Sequence, residues 1–110
     1  MKHEDRDTWR VIWTEQAVDD LSEIAEYISH DSQYYALAVV REIYEIVESL
    51  SVFPLRGRVV PEFARDDIRE LFSQSHRIIY KVEFQRIAIL AIIHFRRDMK
   101  SLKERRSWES

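Results

Sequence analysis

The period of the apolar positions changes partway along the chain. Between residues 14 and 51 they recur at steps of three and four, and between 68 and 95 they fall in short runs rich in β-branched and aromatic residues. Steps of three and four put side chains on one face of a helix, whereas short β-branched runs suit strands. Ala17, Leu21, Ile24, Ala25 and Ile28 form one stripe of a first helix ending near Ser29. Thr14 is placed to cap its start, and Glu15, Asp19 and Asp20 put negative charge where the helix dipole favours it. His30-Asp31-Ser32 ends that helix and caps a second, over residues 33–51, whose apolar set is broader: Ala36, Val39, Val40, Ile43, Ile46, Val47 and Leu50. A set this wide suits contact with a partner helix and a sheet together, so the two form an antiparallel αα-hairpin. Tyr27, Tyr34, Tyr35 and Tyr44 lie in or between these helices, and rings of this amphipathic kind are expected to pack at a half-buried seam.

Residues 9–13 alternate, with Trp9, Val11 and Trp13 on one face and Ile12 on the other, and predict a strand ahead of the helices. Three more strands are predicted over 68–72, 77–82 and 87–95. The connections Ser73-Gln74-Ser75-His76 and Glu83-Phe84-Gln85-Arg86 are of hairpin length. Residues 87–93 hardly alternate, as expected of a strand covered on both faces, and this places the first strand beside the last. The predicted fold is α+β in the order β-α-α-β-β-β. It has two layers, with the helical hairpin on one face of a mainly antiparallel four-stranded sheet. Residues 9–98 make the domain, 1–8 an N-terminal tail, and 99–110 a polar tail or short C-terminal helix.

Between the halves, residues 53–62 hold both prolines, Pro54 and Pro61, and the only glycine, Gly57. Proline denies an amide donor and biases its predecessor towards extended backbone, and glycine leaves a position free of a Cβ. Such a loop is expected to present its side chains outside any helix or ladder, and it carries Arg56, Arg58 and Glu62. A rigid charged loop on a small scaffold is a first place to look for function.

The net charge of −3 hides an asymmetry. Residues 1–50 carry 4 Lys and Arg against 12 Asp and Glu, and residues 51–110 carry 13 against 8, giving −8 and +5. An acidic surface and a basic surface fit partners of opposite charge, while ordinary solvated helix faces explain the acidic half equally well. The absence of cysteine excludes disulfides, thiol nucleophiles and cysteine-bound zinc. His3, His30, His76 and His94 lack metal-ligand spacing, so no metal or other cofactor is expected. No apolar run reaches bilayer length and the N-terminus has no signal-like core, which suits a cytoplasmic protein without membrane contact.

Five segments in order carry a resemblance: Phe53-Pro54; Gly57-Arg58-x-Val60-Pro61-Glu62; Ile68-Arg69-Glu70-Leu71; His76-Arg77-Ile78-Ile79-Tyr80-Lys81-Val82; and His94-Phe95-Arg96-Arg97. Together with the predicted element order they make the chain resemble the RelE/ParE toxin superfamily, over about residues 9–98. The resemblance implies the toxin of a bacterial type II toxin–antitoxin pair, silenced by a cognate antitoxin whose tail wraps it. RelE and YoeB toxins cut messenger RNA on the ribosome, whereas ParE toxins inhibit DNA gyrase.

Metal-free RNA cleavage requires a base for the 2′-hydroxyl, a cation for the charge on phosphorus and an acid for the leaving oxygen. By the resemblance, Glu62 matches the base and Arg77 the phosphate-binding arginine of YoeB-like members. Their His-Tyr pair at the end of the last strand falls here on Phe95 and Arg96, neither of which supplies a proton. His94 is one residue away, on the opposite face of an unbroken strand, so only a bulge would bring it round. The Gly-Arg-x-Val-Pro-Glu loop and the His-x-Arg-Arg ending look more like ParE. The implied function is therefore a non-catalytic toxin that binds gyrase, without binding DNA by itself. Its expected contact residues are Arg56, Arg58, Glu62, Arg77, His94, Arg96 and Arg97. A ribosome-dependent ribonuclease using Glu62 and Arg77 is the alternative, and a degenerate antitoxin-binding module is a third. Purely structural roles are also open, with Glu62 paired to Arg58 or Arg77, Arg77 bridging to a helix carboxylate, and His94 half buried.

Overall fold

The computed structural model describes residues 8–95. Strand β1 (Arg10–Trp13) leads into helices α1 (Glu15–Ser29) and α2 (Gln33–Glu48), and a 3-10 turn (Ser49–Ser51) closes the hairpin. Strands β2 (Arg58–Val59), β3 (Ile68–Phe72), β4 (His76–Glu83) and β5 (Arg86–His94) follow. Thr14 caps α1 by accepting from the Ala17 amide, and Ser32 caps α2 by accepting from Tyr35. Thr14 also donates its hydroxyl to the Ile89 carbonyl, so a single residue ends β1, starts α1 and ties both to β5.

Among the described residues the sheet has five strands, in the order β1-β5-β4-β3-β2, rather than the four expected. The fifth is the two-residue β2, inside the loop expected to stay outside any ladder, where Arg58 pairs with Glu70 and Val59 with Arg69. Pro54 and Pro61 flank this segment without interrupting it, which leaves room for one short edge pairing. β1 runs parallel to β5, opposite residues 86–89, and the remaining pairings are antiparallel. The sequence therefore placed the first strand correctly beside the last.

β5 carries one extra residue. Ile79 pairs with Ala91 and Tyr80 with Ile89, leaving Leu90 as a β-bulge. Side chains of a strand alternate between faces, so the bulge changes the phase of everything after it. Ile87, Ile89 and Ile92 pack with Ile78, Tyr80 and the helix residues Ala17, Ile43, Val47 and Leu50, with Trp9, Val11 and Trp13 against the same cluster. Ala91 and Ile93 face the other way, into a second cluster with Val60, Phe63, Ile68 and Ile79. The helices cover one face, and the loop between β2 and β3 covers part of the other. That double cover explains why β5 shows so little alternation.

The four helix tyrosines do not pack at a seam. Tyr27, Tyr34, Tyr35 and Tyr44 are 81, 85, 49 and 52% exposed. Smaller residues, including Leu21, Ile24, Val39 and Ile43, already fill the space between the helices and the sheet. Among the described residues, no helix is long and apolar enough to cross a membrane.

Candidate functional site

Cross-strand neighbours on one face of a sheet stand close enough for their side chains to pair. On the face away from the helices, β2, β3 and β4 bring Arg58, Glu70 and Arg77 together in this way. Glu70 has a fully buried side chain, and its two oxygens are taken by two arginines. Arg58 Nε donates to Oε2 at 2.7 Å, and Arg77 donates to Oε1 from Nε at 2.8 Å and from Nη2 at 2.6 Å. A buried carboxylate is tolerable only when paired and hydrogen-bonded, and these bonds meet that requirement. Glu62 stands at the rim, 3.5 Å from Arg77 Nη2. The guanidinium of Arg58 also lies 5.3 Å from the ring centroid of Phe72, which packs against Phe95 at 5.6 Å between centroids.

Of the residues singled out in the sequence, this face unites Arg58, Glu62 and Arg77. Arg56 turns back to donate to Ser49 at the end of the helical hairpin. His94 pairs with His76 across the strand ends, edge to face at 5.5 Å. Both histidines line a cleft beside α1 that also includes Glu23 and Tyr27, on the helix side of the sheet. Arg96 and Arg97 lie outside the described residues, as does the segment 99–110. β5 does have a bulge, but at Leu90, and with it His94 faces the helices while Phe95 shares a face with Phe72 and Arg77.

Glu70 is the functional neighbour that sequence reasoning missed. It was visible as a charged residue in the strand Ile68–Phe72, on the same pleat as Ile68, and a charge in a core-facing position calls for a partner. Its presence changes the electrostatics of the site. Two guanidinium groups face two carboxylates, so this patch, in the half of the chain that carries +5, is close to neutral. Arg77 bridges to a carboxylate on the adjacent strand rather than on a helix.

Beneath the site the loop is fixed from the other face. The buried Tyr80 hydroxyl donates to the Pro54 carbonyl at 3.0 Å and accepts from the Gly57 amide at 2.9 Å. Burial raises the pKa of this phenol. A Cβ on Gly57 would lie 2.6 Å from both the Glu70 carbonyl and the Tyr80 hydroxyl, so glycine is required here for close approach. Arg69 adds a hydrogen bond to the Gly57 carbonyl.

A helical hairpin on one face of a five-stranded sheet is the fold of the RelE/ParE class of toxins. The family model described as the ParE toxin of the type II toxin–antitoxin system parDE matches residues 11–99, and the chain belongs to that family. It is similar to a chain of the chromosomal ParDE toxin–antitoxin system from P. aeruginosa, at 25% identity and a TM-score of 0.67, covering 80% of this chain and 97% of that one. The fold is also similar to a chain of the RelBE2 toxin–antitoxin complex from Mycobacterium tuberculosis, at 23% identity and a TM-score of 0.55, covering 79% and 91%. A YoeB/ParE toxin from Agrobacterium tumefaciens shares it at 17% identity and a TM-score of 0.55, covering 77% and 96%. No curated protein matches the sequence.

Proposed function

We propose that this ParE-family toxin acts by binding rather than by cleaving, that its target is DNA gyrase in the cytoplasm, and that a cognate antitoxin neutralises it. The observation that carries the reading is the way Arg77 is held. Its guanidinium is engaged twice by the buried Glu70, and freeing it for a phosphate would leave that carboxylate unpaired away from water. Beside it, Phe72 and Phe95 offer ring surface and no proton. A near-neutral patch of arginine, carboxylate and exposed aromatic groups suits a protein surface better than a phosphate backbone, which draws affinity from excess cationic charge. Direct DNA binding is therefore not part of the proposal. An antitoxin partner is supported by the family and by the P. aeruginosa relative, which comes from a toxin–antitoxin system.

A supercoiling assay with purified gyrase tests this reading. Supercoiling should fall, or cleaved DNA complexes accumulate, when the toxin is added, and the antitoxin should reverse the effect. Unchanged supercoiling with no cleaved complexes would refute gyrase as the target. One observation keeps a second reading in play, because Glu62 and Arg77, the base and cation of a ribonuclease, stand side by side at 3.5 Å. For that reading, messenger RNA should be cut within codons soon after induction, and Glu62→Ala should abolish the cuts.

A further inference from the structure

On the helix side of the sheet, α1, α2 and the ends of β4 and β5 enclose a cleft of about 990 Å³. We propose that it takes an arginine or lysine side chain presented by a partner polypeptide. The site lies on the opposite face from the arginine–glutamate network and does not depend on the gyrase reading.

The cleft contains an unpaired acceptor. His76 is only 6% exposed, and its Nδ1 has no hydrogen-bond partner among the described residues. Buried polar atoms are almost always paired, so an orphan on a cleft wall marks a place for an occupant. Burial, and secondarily the neighbouring His94, lowers the pKa of His76 and favours its neutral form. A neutral imidazole with its proton on Nε2 presents Nδ1 as an acceptor.

The remaining lining selects for positive charge. Among the described residues, Glu23 contributes a carboxylate and makes no ion pair, and no lysine or arginine lines the cleft. Asp20 accepts a hydrogen bond from the Ile92 amide and adds a second negative group. Tyr27 and Tyr35 add exposed aromatic rings to the lining, of the kind that attract a cation, and Ile24 and Ile28 add apolar surface for an aliphatic stem. A polypeptide is favoured over a free small cation by size, because a volume near 990 Å³ is at the upper end of whole-ligand pockets and exceeds a single side chain. The apolar wall and exposed tyrosines can accept the residues flanking the cation.

The test uses the full chain and follows the imidazole resonances of His76 and His94 by NMR. Three probes are titrated: acetyl-Leu-Arg-Leu-amide; the same peptide with citrulline, a neutral isostere of arginine; and agmatine. The arginine peptide should shift both histidines saturably and bind about tenfold more tightly than the citrulline peptide. Glu23→Gln, at an exposed position where the fold is not at risk, should remove most of that difference. Equal affinity for the citrulline peptide, or shifts confined to residues outside the cleft, would overturn the proposal. Agmatine binding as tightly as the arginine peptide would overturn its polypeptide part.

Discussion

Glu70 and Arg77 meet across β3 and β4 through two hydrogen bonds to one carboxylate oxygen, and Arg77 is nearly as buried as its partner, at 11% against 0% side-chain exposure. Removing one member of a buried pair strands the other, at a cost of roughly 3 kcal/mol or more. Glu70→Ala should destabilise the toxin by that order in urea unfolding. Glu62→Ala should cost less than about 1 kcal/mol, because its contact with Arg77 is long and partly exposed. Similar losses for the two variants would mean that Glu62 anchors Arg77 as firmly as Glu70 does.

The Tyr80 hydroxyl serves two backbone groups of the loop at once, so Tyr80→Phe leaves the Gly57 amide and the Pro54 carbonyl without it. The expected loss is about 1–3 kcal/mol. Gly57→Ala should cost more than Tyr80→Phe, because its Cβ meets the backbone oxygen of Glu70, which cannot swing aside as a side chain could. The same unfolding measurement ranks the two, and the reverse order would show that the loop yields to admit a methyl group.

His76 gives a pH dependence of definite sign. Burial holds its folded pKa below 6.5, so as pH falls the unfolded chain takes up the proton first. Its contribution to stability is present above pH 6.5 and is lost as pH falls through that value towards the folded pKa. The melting temperature should therefore drop between about pH 7.5 and 5.5, and His76→Gln should drop less over the same window. Identical slopes for the two proteins would exclude His76 as the source.

Arginine substitutions separate electrostatic docking from stability. Arg58 is tied to the buried Glu70, so reversing its charge damages the fold as well as the surface. The Arg56 side chain bonds only to the Ser49 hydroxyl among the described residues. Arg56→Glu should leave unfolding unchanged while slowing association with an acidic partner by roughly three- to tenfold at low salt, with a weaker salt dependence. Association kinetics measured against the antitoxin and against gyrase would show which partner uses this corner, and unchanged rates for both would remove Arg56 from the contact surface.

The helices and long strands were legible because their signals are local. Stripes at three- and four-residue steps, Thr14 and Ser32 at the caps, and the unbroken apolar run of β5 each describe their own surroundings. β2 was not legible, since a two-residue pairing has no period to detect and lies among prolines. The tyrosines misled because their rings are apolar enough to pack, while the space beneath them was already filled by residues such as Val39 and Ile43. Arg58, Glu62 and Arg77 were drawn from motifs and did assemble, but the motif could not indicate that Glu70 stands between the arginines and cancels much of their charge. That fact depends on the pairing of three strands that meet only in the folded chain.

Leu90 is an unremarkable residue in an apolar strand, yet the extra position it occupies determines what each side of the molecule offers. Were Leu90 paired in a regular ladder instead of bulged, the end of β5 would turn by half a repeat, and an imidazole would stand on the Arg77 face while a phenyl ring faced the cleft at α1. The chemistry available to the arginines is thus set by how the backbone upstream is paired as much as by which residues are present. A relative could acquire or lose a proton donor at this face by pairing the same strand with or without the bulge, with no side chain near the arginines replaced.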